Sequence, residues 1–119
     1  MIENLSNTSA PALNGILCKS FLCRLKGLMF QNSLSPNFGL LLADSMESRI
    51  NSAIHMFFMN FNLAVIWLDK KFCVVDVQIA RKGHGLYSPS APAQYTLETS
   101  VENFDFFHPG DQVKVIYVD

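Results

Sequence analysis

Residues 52–69 read SAIHMFFMNFNLAVIWLD, and from 53 to 68 the chain holds no formal charge if His55 is neutral. The run is shorter than the roughly 20 apolar residues a membrane helix needs, and Asn60 and Asn62 interrupt its centre. As a helix it would place apolar side chains on every face. Its Ile, Phe, Val and Trp content favours a buried pleated surface instead. The run therefore predicts two core strands, near 53–59 and 63–68, with Asn60-Phe61-Asn62 as the break between them. No membrane span is expected.

The flanking pattern continues in the same sense. Asp69-Lys70-Lys71 predicts a hairpin loop, although it lacks the Gly that marks the tightest turns. Over 72–79, Cys73, Val75, Val77 and Ile79 alternate with Phe72, Val74, Asp76 and Gln78, the signature of a half-buried antiparallel strand. Another strand is predicted over 93–99, with Tyr95 and Leu97 on one side and Thr96 and Glu98 on the other. His108-Pro109-Gly110-Asp111 predicts a type II turn, followed by a strand over 112–118 that carries Val113, Val115 and Tyr117. Residues 38–43 and 12–18 complete the strands. Ser20 caps a predicted helix in which Phe21, Leu22, Leu25, Leu28 and Met29 share a face and Arg24 points away. Gly27 weakens that helix unless something approaches closely there. Ser100 caps a single turn over 101–104, and GHGLYSPSAP (83–92) is the longest candidate functional loop. Many short strands joined by turns predict a mainly β domain, a compact sandwich or barrel with one or two short helices.

Composition narrows the class. The chain has 119 residues, enough for a single core. Residues 1–14 read as a flexible polar lead-in, with one domain over 15–119 and no secretory signal. Nine basic against ten acidic residues leave a net charge of -1, without the basic footprint of a nucleic-acid binder. Cys18, Cys23 and Cys73 form an odd set without a CxxC spacing. They predict reduced thiols and a cytoplasmic location, with Cys73 as a small buried hydrophobe.

Several segments together resemble one family. They are Arg24-Leu25-Lys26-Gly27-Leu28-Met29, then Gly39-Leu40-Leu41-Leu42, then the block from Ser52 to Met59 continuing through Phe61, Leu63, Val65 and Ile66-Trp67-Leu68-Asp69. Tyr95-Thr96-Leu97-Glu98 and Pro109-Gly110-Asp111-Gln112-Val113 follow in order. Over roughly residues 15–118 the chain is similar to the uncharacterised family numbered 192 among the domains of unknown function. The resemblance implies a jelly-roll-like β-sandwich with one short helix packed across it, and no assigned catalytic residues. Many members carry Pro-Leu-Asp or Pro-Ile-Asp where this chain has Asn62-Leu63-Ala64, which puts in question any activity that used that carboxylate.

The candidate chemistry is sparse. His55 is the polar oddity of the longest apolar run, suited to a core hydrogen bond or to a ligand. Arg24 suits solvation, structural anchoring or anion recognition. The histidines His55, His84 and His108 lack a shared metal-ligand spacing, so no metal or other cofactor is expected. Cys18, Cys23 and His84 would have to converge to make a nucleophilic site. Asp44, Glu47, Asp69 and Glu98 read mainly as solvated carboxylates. The leading expectation is a small-molecule-binding module with an apolar pocket, its ligand contacts drawn from His55, Arg24, Met59, Trp67 and Glu98. The alternatives are a hydrolase-like enzyme pairing His55 with Glu98 or Asp69, and a homodimer that buries the surplus of Met56, Phe57, Phe58, Met59 and Phe61.

Overall fold

The run from Leu63 to Leu68 forms a strand buried along its whole length, which requires that both faces of its sheet be covered. The computed structural model describes residues 1–83 and 85–116, with the side chains of Phe21 and Leu25 outside that description. In chain order the elements are β1 (Ile2–Asn4), β2 (Asn14–Cys18), α1 (Phe21–Lys26), β3 (Phe38–Ser48), β4 (Ile54–His55), β5 (Leu63–Leu68), β6 (Val74–Ala80), β7 (Leu86–Tyr87), β8 (Ala93–Thr99), a 3-10 helix (Val101–Phe106) and β9 (Val113–Val115). The long apolar run is thus split between β4 and β5. Among the described residues, no helix is long and apolar enough to cross a membrane.

Five strands make the central sheet, in the order β2-β3-β8-β5-β6. Its edges stay open, so among the described residues the mainly β fold does not close into a barrel. The β2–β3 pair is parallel, and parallel neighbours need a crossover connection. That connection carries α1. Two short ribbons, β1–β9 and β4–β7, complete the fold. One face of the sheet presents Leu40, Leu42, Val65 and Trp67 to Leu28, Ile54, Met56 and Met59. The other presents Leu41, Ala64, Ile66, Leu68 and Leu97 to Ile2, Phe107 and Val113.

Several expectations change in the structure. Residues 1–14 belong to the fold: β1 pairs with β9, and Ile2 and Leu13, both buried, exchange backbone hydrogen bonds of 2.8 and 2.9 Å. These two apolar anchors lie too far apart to form a local pattern. The alternation over 72–79 breaks because a bulge shifts the register, so that Trp67 pairs with Asp76 but Leu68 with Val74. Val75 then packs on one core and Val77 on the other, while Ile79 on the edge strand is exposed. In the β5–β6 turn, Phe72 adopts the left-handed φ of 62° that no Gly was there to supply, and stacks on Tyr95 at 4.3 Å. Asp69 is a turn residue, its Oδ1 accepting from the Lys71 and Cys73 amides. The His108–Asp111 turn closes through Asp111 N–H to His108 O (3.0 Å) with Gly110 at φ 94°.

Cys18 and Cys23 form a disulfide, contrary to the expected free thiols. Cys18 closes β2 and Cys23 lies in the first turn of α1, which brings their Cα atoms to 5.7 Å, inside the bridging range. The cysteine count therefore no longer argues for a reducing compartment. Cys73 is free and only half-buried. Tyr117 and His84 lie outside the described residues.

Candidate functional site

The site is built on the sheet face that α1 and β4 cover. Glu98 on β8 lies opposite Leu40 of β3 and Val65 of β5. Both are apolar and both belong to that face's core. The reading of Glu98 as mainly a solvated carboxylate therefore fails, because α1 and the β4 region close over this face. Glu98 is only 5% exposed, and no ion pair or hydrogen bond reaches its carboxyl among the described residues. Burial pushes that carboxyl up from the ordinary range to about 7.

Helix α1 is six residues long, with the Ser20 side chain accepting from Cys23 N–H at 3.1 Å. Because it stops at Gly27, the long helical face read from the sequence does not exist. Leu22 is exposed, and Leu28 reaches the core from the turn beyond the helix. Arg24 turns inward rather than away and forms an ion pair with Asp44 on β3. Burial raises the pKa of Asp44 in spite of the opposing Arg24 charge and hydrogen bond. Asp44 is thus an interior group, not the solvated carboxylate its sequence context suggested. Gly27 has φ 50° and ψ −124°, a conformation that costs a side-chain-bearing residue dearly. A Cβ there would also lie 3.3 Å from Glu98 Oε1. Gly27→Ala is accordingly expected to lose about 1–3 kcal/mol in urea denaturation and to narrow the space beside Glu98.

These groups enclose a cavity of about 380 Å³, within the size range of small-molecule sites. Arg24, His55, Met59 and Glu98 all line it, together with Lys26, Gly27, Asp44, Ser52 and Thr96. Trp67 does not line it. Trp67 is wholly buried beneath the wall and donates from Nε1 to the Ser52 carbonyl at 2.7 Å, a carbonyl that also accepts from Thr96 Oγ1 at 3.3 Å. It supports the 51–53 segment rather than facing the space. Asp69, a suggested partner for His55, lies outside the lining, and so does Ala64, whose position belongs to the opposite core. A carboxylate at 64 would therefore point to the other face of the sheet. Asp44 and Gly27 had a readable signal: Asp44 shares the parity of Leu40 and Leu42, and Gly27 interrupts an otherwise apolar helix.

The surplus Met and Phe side chains divide. Met56 and Met59 enter the core, while Phe57 and Phe58 are exposed. Phe57 stacks on His55 (5.7 Å between ring centroids), and Phe58 stacks on the exposed Phe30 (5.4 Å). Among the described residues, no three His, Cys, Asp or Glu side chains are grouped to hold a metal. The disulfide removes Cys18 and Cys23 as nucleophiles. A second cavity, about 260 Å³ between β2 and the β1–β9 ribbon, carries no charged side chain in its lining.

The molecule is thus a mainly β domain with a cavity between its sheet and a short crossover helix, and within it a carboxyl without an ion-pair partner among the described residues. The chain belongs to the domain of unknown function family 192, described as "Uncharacterized ACR", which it matches over residues 5–115. It is 42% identical to a UPF0127 protein of Thermococcus kodakarensis over 82% of its own length and 61% of that relative. It is 40% identical to a UPF0127 protein of Pyrococcus horikoshii over 69% of its length and 68% of the relative. The chain thus spans about three-fifths of the Thermococcus relative. Its fold is similar to that of a crystallised protein of unknown function from Novosphingobium aromaticivorans, with a TM-score of 0.76 and 18% identity over 87% of this chain and 75% of that one.

Proposed function

We propose that the protein is a small-molecule-binding module and that the cavity above β3 and β8 is its site. The carrying observation is Glu98: a buried carboxyl, without a protein partner among the described residues, that lines the space. Its carboxyl has no ion-pair partner among the described residues and opens onto the cavity, so a ligand donor or cation can reach it and form a charge-assisted hydrogen bond. Met29, Met59, Leu42 and Ile54 supply apolar walls, so the ligand is amphipathic and not purely apolar. The pocket is more polar than the sequence suggested.

Native mass spectrometry of freshly purified, untagged protein tests this reading, together with a thermal-shift screen using cationic, anionic and neutral fragments. A co-purifying organic mass, or fragments that raise the melting temperature saturably, is the expected result. A clean apo mass with no responding fragment would contradict it.

One observation favours an enzyme as the second reading. Glu98 shares the cavity with His55, and a carboxyl poised near neutrality suits acid–base chemistry. Turnover of an ester or phosphoester probe that disappears in both His55→Gln and Glu98→Gln would favour this reading.

A further inference from the structure

The charges around the cavity do not balance evenly along its length. Arg24 and Lys26 face it from α1, Asp44 from β3, His55 from β4 and Glu98 from β8. Arg24 and Asp44 neutralise each other in their ion pair. Glu98 lies four residues from Asp44 in strand register, since Leu40 is its partner on β3. That places its Cα roughly 13 Å along the strand from the Asp44 position at the usual rise, and no ion pair joins Glu98 to Arg24. Lys26, the nearest free cation in sequence, is exposed at the rim and makes no ion pair with Glu98 among the described residues. Gly27 keeps the immediate approach to Glu98 clear of a side chain. Within the cavity, Glu98 at the Gly27 end is therefore a carboxyl that no ion pair reaches among the described residues.

Resting on the reading of the cavity as a ligand site, we propose that it takes a small organic cation, an amine or ammonium-bearing molecule. The charged nitrogen meets Glu98, and the carbon skeleton lies along Leu42, Met29 and Met59. Such a ligand supplies both the missing counter-charge and the missing hydrogen-bond donors. An anion would compete with Asp44 for Arg24, whose one buried nitrogen without a hydrogen-bond partner is Nε. A neutral hydroxyl compound would leave the ionised form of Glu98 uncompensated.

The test is a pair of titrations of the full chain with n-butylammonium chloride and with 1-butanol, followed by calorimetry or by NMR between pH 6 and 8. The alkylammonium ion stays charged throughout, so its affinity follows the ionised fraction of Glu98. With that carboxyl titrating at about 7, affinity is expected to rise about tenfold across the interval. Glu98→Gln is expected to lose at least tenfold in affinity for the cation at pH 8, and to lose the pH dependence. If this variant does not fold, the wild-type pH profile alone carries the test. Butanol binding as tightly as the ammonium ion, with affinity falling as pH rises, would overturn the cationic ligand while leaving the cavity a ligand site. Unchanged ammonium binding in Glu98→Gln would do the same. Failure of both probes to bind at any pH would overturn the proposal and count against the binding site itself.

Discussion

Trp67→Ala is expected to destabilise the protein by about 3–5 kcal/mol, the range for removing a large buried aromatic. The side chain is wholly buried in the core beneath the cavity, so its loss opens a void that close-packed neighbours fill only partly. It also removes the indole donor to the Ser52 carbonyl, leaving that acceptor with the longer Thr96 bond. Trp67→Phe separates the two contributions. It retains most of the volume and is expected to cost about 1–3 kcal/mol, from the lost hydrogen bond and incomplete filling. Urea denaturation of both variants measures the difference. A loss below 1 kcal/mol in Trp67→Ala would mean that the residue does not hold the cavity wall.

The second large effect is a loss of stability as pH rises. Glu98 titrates at about 7 in the folded protein against 4.5 unfolded. The folded state therefore holds a proton that the unfolded chain has released over that interval. Stability from this group is fully present below pH 4.5, declines as pH rises towards 7 and levels off above it. The total decline is about 3 kcal/mol, roughly 10 °C in melting temperature for a domain of this size. Asp44, raised by burial in spite of Arg24, acts in the same direction. Glu98→Gln should flatten most of the slope between pH 5 and 8 in thermal denaturation. The diagnostic is the slope, because the amide brings its own buried polar atoms. A profile as steep in the variant as in the wild type would remove Glu98 as its source.

The sequence carried the strands well where a local physical signal existed. β5 and β8 follow from apolar content and alternation, the His108–Asp111 turn from Pro followed by Gly, and α1's start from Ser20. Four of the five ligand candidates, Arg24, His55, Met59 and Glu98, line one cavity, whereas Trp67 stands behind its wall. What stayed hidden depends on contacts between distant segments. The N-terminal strand needs β9, and the parallel β2–β3 pair needs a crossover. Cys18 and Cys23 meet only because α1 folds back over β2. The burial of Glu98 is the most consequential of these hidden features. A polar parity on a strand reads as solvent-facing until a second layer is known to cover it. The inward turn of Arg24 has a related cause, since the apolar face that would turn it outward needs helical turns that end at Gly27.

The central claim, that the space beside Glu98 binds small molecules, has reporters already in place. Met29 and Met59 line the cavity and Met56 is buried below it, while Met1 and Met46 are exposed outside its lining. The direct measurement is NMR of methionine methyl groups, with the protein titrated against fragments of positive, negative and neutral charge. Saturable shifts at Met29 and Met59, with Met1 and Met46 unmoved, are the predicted result. Shifts confined to Met1 or Met46, or none at Met29 and Met59 with any fragment, would contradict it.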